Sequence, residues 1–182
     1  AKMPLFLPIR KAGEVNFGYY EEGAEVDIDT LKSVKSPKGV FFPQSENMMR
    51  FRTEGKKLEI EDVRSERDPF AVFGVRACDY KAFSVLDNVF LQEPVDTYYK
   101  EKREAAIIFT LACGKPQQSC FCSVFGIDAS QPMGDVTCWL DEKALYLRAN
   151  TEKGEKALSL VANLTEKCDD KHVEELKGEI KK

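Results

Sequence analysis

The order of apolar and polar residues divides the chain into a first third interrupted by proline and glycine and a more regular remainder. Residues 69–75, PFAVFGV, form an unbroken apolar run, and residues 105–113, AAIIFTLAC, form a second run that is apolar except for Thr110. Continuous apolar runs of this length are typical of strands that are buried on both faces of a sheet. Both segments are therefore predicted to be central strands.

Between these two strands the apolar positions change to helical spacing. In residues 79–90 apolar side chains recur every three or four positions, and Asp79 is a good candidate for the helix N-cap. A second short helix is predicted to start at Pro94. A strand, two helices and another strand make a crossover unit, so the two strands are predicted to be parallel neighbours.

The flanking segments complete the predicted fold. Residues 135–149 predict a hairpin that turns near Asp141–Lys143, and residues 152–167 and 170–182 predict amphipathic helices. Residues 56–62, KKLEIED, predict a short edge strand.

The predicted fold class is α/β, with a mostly parallel central sheet flanked by helices and a β-rich, irregular N-terminal part. We expect one domain, 1–182, made of a β-rich elaboration (1–60), a cysteine-bearing core (69–128) and C-terminal helices (150–182).

Composition and charge narrow the range of functions. The chain carries 27 basic and 31 acidic residues, a net charge of −4, and no basic stripe, so nucleic acid is not an expected partner. No apolar run approaches the roughly 18 residues of a membrane span. The first ten residues, AKMPLFLPIR, do not form a signal peptide, so a cytoplasmic protein is predicted. The one histidine, His172, lies in a charged stretch and is predicted to be a surface residue.

Four of the six cysteines are placed to meet. Cys78 follows the first buried strand and Cys113 ends the second, so both are predicted at the carboxyl edge of the sheet, where α/β proteins place their sites. Neighbouring strands lie only about 4.8 Å apart. The loop after Cys113 is predicted to bring Cys120 and Cys122 to the same edge.

Four thiolates have two main possible occupants. Zinc binds four cysteines but usually uses C-x2-C pairs, whereas a [4Fe–4S] cluster tolerates more varied spacing. A redox pair of Cys120 and Cys122 is the weakest alternative, because a C-x-C pair lacks the geometry of C-x-x-C at a helix start. The helix that starts near Cys78 is expected to favour a thiolate there. Cys138 and Cys168 are predicted to be packing or loop residues.

Several motifs together resemble the N-terminal domain of the dicluster iron–sulfur family, which includes sulfhydrogenase beta subunits and the A subunit of anaerobic sulfite reductases. The motifs are G-V-R-x-C-D at 74–79, L-D-x-x-F at 86–90, D-x-Y-Y at 96–99 and C-x6-C-F-C at 113–122. The segments PLFLP and VFFPQSENMMRF also resemble the start of that family.

The resemblance implies an electron-relay subunit of an anaerobic oxidoreductase, between a flavin- or pyridine-nucleotide-handling subunit and a catalytic subunit. It implies that a [4Fe–4S] cluster is bound by Cys78, Cys113, Cys120 and Cys122. Arg76 and Asp79 match the turn around Cys78, where Arg76 is expected to tune the site electrostatically. The family continues into a ferredoxin-like segment with C-x2-C-x2-C runs, which this sequence does not contain. We therefore expect an isolated domain or a stand-alone subunit.

Two other function classes remain at this stage. One is a non-redox docking or scaffold domain with a structural zinc or no metal. The other is a small-molecule enzyme that uses the sheet edge as a pocket, although the chain lacks G-x-G-x-x-G and P-loop motifs.

Overall fold

A six-stranded sheet forms the centre of the computed structural model, which describes residues 3–62 and 68–180. Its spatial order is β2 (Glu14–Tyr19), β1 (Leu5–Lys11), β5 (Phe70–Val75), β6 (Ala106–Leu111), β7 (Val136–Leu140) and β8 (Leu145–Ala149). The pairs β1–β5, β5–β6 and β6–β7 are parallel, whereas β2 and β8 pair antiparallel at the two edges. The predicted α/β class is confirmed, with a mixed sheet whose parallel pairs lie in the middle.

The predicted crossover between β5 and β6 is confirmed. It contains α1 (Ala77–Phe90) and α2 (Thr97–Ala105). The second helix begins at Thr97 rather than at the predicted Pro94, because the Asp96 side chain caps it by accepting a hydrogen bond from the Tyr99 amide over 3.0 Å.

The N-terminal part is β-rich, as predicted, but two of its strands belong to the central sheet. The parallel pairing of β1 with β5 places them there. A separate hairpin of β3 (Met49–Glu54) and β4 (Lys57–Asp62) confirms the predicted strand in residues 56–62. Its register places Phe51 opposite Ile60, and both side chains are exposed.

The two faces of the sheet are covered by different elements. Val72, Ile108 and Phe83 belong to a buried cluster that α1 and α2 cover, whereas Leu111 and Val136 belong to a cluster on the opposite face. Burial of these side chains stabilises the fold by about 25 cal/mol for each Å² of apolar surface removed from water.

The C-terminal part contains the predicted hairpin and two helices, α3 (Glu152–Ser159) and α4 (Asp170–Ile180). The Asp141 carboxylate closes the hairpin turn by accepting bonds from the amides of Lys143 and Ala144. The helix predicted over 152–167 is shorter, because the weak helix formers Val161, Asn163 and Thr165 follow its first two turns.

Residues 1 and 2 of the predicted N-terminal part and residues 181 and 182 of the last predicted helix lie outside the described residues. Among the described helices, none has the length and apolar character that a bilayer crossing requires.

Candidate metal centre

Cys78 lies in the first turn of α1, directly after β5. The chain leaves the strand at Arg76, whose extended backbone (φ −77°, ψ 157°) makes it the N-cap, and the helix begins at Ala77. The prediction that Asp79 caps this helix is wrong, because Asp79 is already the third residue of the helix. Its carboxylate accepts a hydrogen bond from the Ser36 hydroxyl over 2.6 Å. Asp79 therefore fixes a distant loop against the helix start.

Cys113 lies two residues beyond the end of β6, at the same carboxyl edge of the sheet. The Ala112 amide still bonds the carbonyl of Cys138 on β7 over 2.9 Å, and the Cys113 amide bonds the carbonyl of Ala129 over 3.0 Å. The second bond closes the base of the loop that carries the other two cysteines. The loop thus begins and ends at the sheet edge, as predicted.

Cys120 and Cys122 are held by tight turns within this loop. The Gln117 amide donates to the Cys120 sulfur over 3.3 Å, and the Cys120 amide donates back to the Gln117 carbonyl over 2.9 Å. Cys122 begins a short 3-10 turn that ends at Gly126, whose φ of +61° is the left-handed conformation that glycine adopts readily. The two thiols are therefore fixed by local backbone geometry.

Three of the four predicted ligands line one cleft of about 360 Å³, which we call the cysteine cleft. Its lining residues are Lys32, Cys78, Lys81, Ala82, Val85, Ser119, Cys120, Phe121, Cys122, Phe125 and Ile127. Helix α1 supplies one wall, the cysteine loop supplies the other, and Lys32 completes the lining. Segments about 40 residues apart in sequence are thus brought together by the parallel pairing of β5 and β6.

Cys113 does not line this cleft, but it lies within electrostatic reach of the other three thiols. The pKa of the Cys113 thiol is raised above its ordinary value, mainly by burial. The Arg76 cation acts to lower this pKa, and the neighbouring thiols of Cys78, Cys122 and Cys120 act to raise it. The structure therefore gathers all four predicted ligands at one edge of the sheet.

The thiol of Cys78 differs from its sequence-based expectation. The residue keeps an exposed edge, yet partial withdrawal from water raises its pKa, and the charges of Asp79 and Cys122 raise it further. The amides at the start of α1 lower this pKa, as expected of a helix N-terminus, but by less. On balance the thiol, rather than the thiolate, is favoured in the metal-free protein.

Arg76 is a buried cation that joins three segments of the site. Its guanidinium donates to the carbonyl oxygens of Ala112 (3.1 Å) and Ile28 (2.7 Å), with a longer contact to Thr30 (3.5 Å). Among the described residues no carboxylate lies within ion-pair distance of it. Its hydrogen-bond partners are neutral carbonyl groups, and its positive charge acts to lower the pKa of both Cys113 and Asp79.

The donor chemistry fits a metal or cluster, but the sulfurs do not form a coordination set. Within residues 3–62 and 68–180, no group of three or more histidine, cysteine or acidic side chains is arranged to hold a metal ion. The structure supports the juxtaposition of Cys78, Cys113, Cys120 and Cys122, and their role as ligands stays a prediction.

The remaining cysteines and the histidine lie elsewhere. Cys138 is fully buried in β7 beside Trp139, as expected of a packing residue, and burial raises its pKa. Cys168 is exposed near α4. His172 lies at the surface of α4, where its Nε2 is 2.9 Å from the Asp141 carboxylate.

Two features of the site depend on the tertiary structure and could not be placed from the sequence. The segment that carries Ile28, Thr30 and Lys32 crosses to the sheet edge and contacts Arg76 and Ser119 over separations of 46 to 87 residues. The apolar character of the cleft was visible in the F-C-S-V-F letters at 121–125, but which of these side chains remain exposed depends on the tertiary structure.

Comparison with known proteins identifies a relative of this chain. Sulfhydrogenase 2 subunit beta of Pyrococcus furiosus is 29% identical to this chain over 132 residues, which is 72% of the chain and 38% of that protein. The chain therefore spans well under half the length of this relative. No family model and no solved structure matches the chain. The chain is thus related in sequence to a sulfhydrogenase beta subunit.

Proposed function

We propose that this chain is an electron-transfer subunit or domain of a multisubunit oxidoreductase and that Cys78, Cys113, Cys120 and Cys122 bind a [4Fe–4S] cluster. One observation carries the proposal: three of these thiols line a single cleft and the fourth lies within electrostatic reach of them, although they come from separate segments. A [4Fe–4S] cluster is held by four cysteine thiolates.

The relationship to a sulfhydrogenase beta subunit supports this assignment. That protein is by name one subunit of a larger enzyme. By analogy, the proposed partners here are the other subunits of a redox complex: a ferredoxin-like, a flavin-containing or a catalytic subunit. We place the chain in the cytoplasm of an anaerobic cell, where cysteines stay reduced.

The residues of the chain have distinct roles in this proposal. When bound, the cluster supplies one-electron transfer. The four thiols bind it and must lose their protons to do so, because the thiolate is the ligand. Arg76 places a buried positive charge beside Cys113 and so offsets part of the negative charge of the thiolates. Asp79 holds the residue 36 loop against the start of α1 and so fixes the position of Cys78.

The test is the metal content and the redox response of protein purified without oxygen. We expect about four irons and four acid-labile sulfides per chain, with an EPR signal that appears on reduction and disappears on reoxidation. Protein that contains iron but shows no reversible reduction would contradict the electron-transfer role.

A second candidate is a non-redox docking domain with a structural zinc or no metal. It is favoured by the exposed apolar side chains of Val85, Phe121 and Phe125 in the cleft, which are typical of a surface that contacts a partner. Elemental analysis separates the two candidates, because one zinc per chain without iron, or no metal at all, supports the docking domain.

A further inference from the structure

Helix α1 has two apolar faces, and the described residues of the core pack against one of them. Phe83 is fully buried, and Leu86 and Phe90 pack against the same core cluster. Ala82, Val85 and Val89 follow Cys78 at spacings of four, three and four residues, so they form a second stripe on the cysteine side of the helix. Val85 is 58% exposed and Val89 is 64% exposed. The described part of the chain therefore leaves Val85 and Val89 of this stripe exposed.

The cysteine loop adds apolar surface opposite this stripe. Phe121 and Phe125, each 60% exposed, contact one another with ring centroids 5.6 Å apart and line the cysteine cleft together with Val85. Val124, between them in sequence, is 77% exposed. Concentrations of exposed large apolar side chains around a cleft mark interaction sites in soluble proteins. Here the apolar side chains surround the thiols themselves.

The charge beside the cleft indicates what kind of partner fits. The cleft is lined by two lysines, Lys32 and Lys81, and by no carboxylate among the described residues, although the chain as a whole has a net charge of −4. The Lys32 amine donates to the Ser119 hydroxyl over 2.6 Å, and neither lysine pairs with a described carboxylate. An apolar centre with a positively charged rim is complementary to a partner that has an apolar centre and an acidic rim.

We infer that the cysteine cleft and the exposed stripe of α1 form the docking surface for an acidic electron-carrier protein. The inference rests on the proposed function, in which these thiols bind the cluster. A carrier that docks on this surface lies directly against the thiols that line the cleft. Electron transfer weakens steeply with distance, so a surface that brings a carrier onto the cleft serves the proposed relay. The lysines attract the carrier at long range and the apolar side chains hold it.

The experiment measures binding of an acidic two-cluster bacterial ferredoxin to the anaerobically prepared chain by titration calorimetry at low and high salt. Lys81→Glu and Val85→Asp change the surface, while Lys156→Glu and Ile60→Asp are matched controls at exposed positions on α3 and β4. We expect each surface variant to bind about threefold to tenfold more weakly and each control to bind as the wild type does. The affinity of the wild type should fall as salt rises.

Four outcomes would overturn the inference. The ferredoxin does not bind the wild-type chain, or the surface and control variants weaken its binding equally. Alternatively, a basic cytochrome c binds as tightly as the ferredoxin, or Val85→Asp changes self-association of the chain and leaves ferredoxin binding unchanged. Iron analysis of each preparation separates this inference from the proposed function. An iron-free wild type contradicts the proposed function, whereas iron-loaded variants with unchanged ferredoxin affinity contradict the docking surface alone.

Discussion

The guanidinium of Arg76 donates a hydrogen bond to the carbonyl oxygen of Ala112 over 3.1 Å. Arg76 follows β5 and precedes Cys78 by two residues, and Ala112 follows β6 and directly precedes Cys113. This bond therefore ties together the ends of the two strands that carry the first two cysteines. The same side chain reaches the carbonyl of Ile28 and fixes the loop that leads to Lys32.

Replacing Arg76 separates its structural role from its electrostatic role. Arg76→Met removes the charge and the hydrogen bonds, so we expect about 2–4 kcal/mol lower unfolding free energy and a lower reduction potential of the bound cluster. Arg76→Lys keeps the charge but cannot reproduce the branched set of donors. Its reduction potential should therefore stay closer to that of the wild type than its unfolding free energy does. Denaturant unfolding and redox titration measure the two effects. Equal potentials in the two variants would contradict the electrostatic role.

A second prediction concerns the pH dependence of the contact between α1 and α2. Burial raises the pKa of the Asp87 carboxyl. Two hydrogen bonds from Arg103 (2.8 and 2.7 Å) and one from Tyr99 (2.6 Å) lower it, and together with the Arg103 charge they outweigh burial, so the pKa lies below its ordinary value. A carboxylate whose pKa is lower in the folded protein stabilises the fold at pH values above its pKa in the unfolded chain, which is about 3.9 for aspartate. This stabilisation is lost as the pH falls through the pKa in the folded protein.

Asp87→Asn should therefore cost about 2–4 kcal/mol of unfolding free energy at pH 7, and the difference from wild type should shrink below about pH 4. Denaturant unfolding at pH 7 and pH 3 measures it. Asp170→Asn is the control. Asp170 also pairs with an arginine, Arg148, but its side chain is 84% exposed, and an exposed pair contributes under about 1 kcal/mol. A difference that stays constant with pH would show that Asp87 acts by packing.

A third prediction compares two helical glycines. A methyl group on Gly154 would overlap the carbonyl oxygen of Asp135, which is held in place by the Asn150 amide over 2.8 Å. Gly154→Ala should therefore lower the unfolding free energy by about 1–3 kcal/mol, despite the better helix propensity of alanine. Gly178→Ala has open space around the new methyl group and should stabilise α4 by about 0.5–1 kcal/mol. Thermal unfolding of both variants checks the opposite signs.

The elements around the cysteines could be predicted from the sequence because their signals are local. The runs of β5 and β6 are apolar except for Thr110, and the helical spacing between them implied a crossover and hence parallel strands. That inference placed Cys78 and Cys113 at the same sheet edge, which the structure confirms.

Long-range contacts were not predictable in the same way. The start of α1 depends on the extended backbone of Arg76, so the side chain of Asp79 was free to bond Ser36, 43 residues away. The pairing of β1 with β5 involves only two register positions and left no mark on the spacing of residues 5–11. Helical spacing also could not show that Val85 and Val89 stay exposed, because the apolar pattern of α1 is the same whether a neighbour covers them or not.

The central claim is that cysteines distant in sequence act as one ligand set, and the iron content of single-cysteine variants tests it most directly. Wild type, Cys78→Ser, Cys120→Ser and Cys138→Ser are purified side by side without oxygen, and iron per chain is measured. We predict about four irons in wild type and in Cys138→Ser, and an equally strong loss in Cys78→Ser and Cys120→Ser. A Cys78→Ser variant that retains the full wild-type iron content would contradict the account.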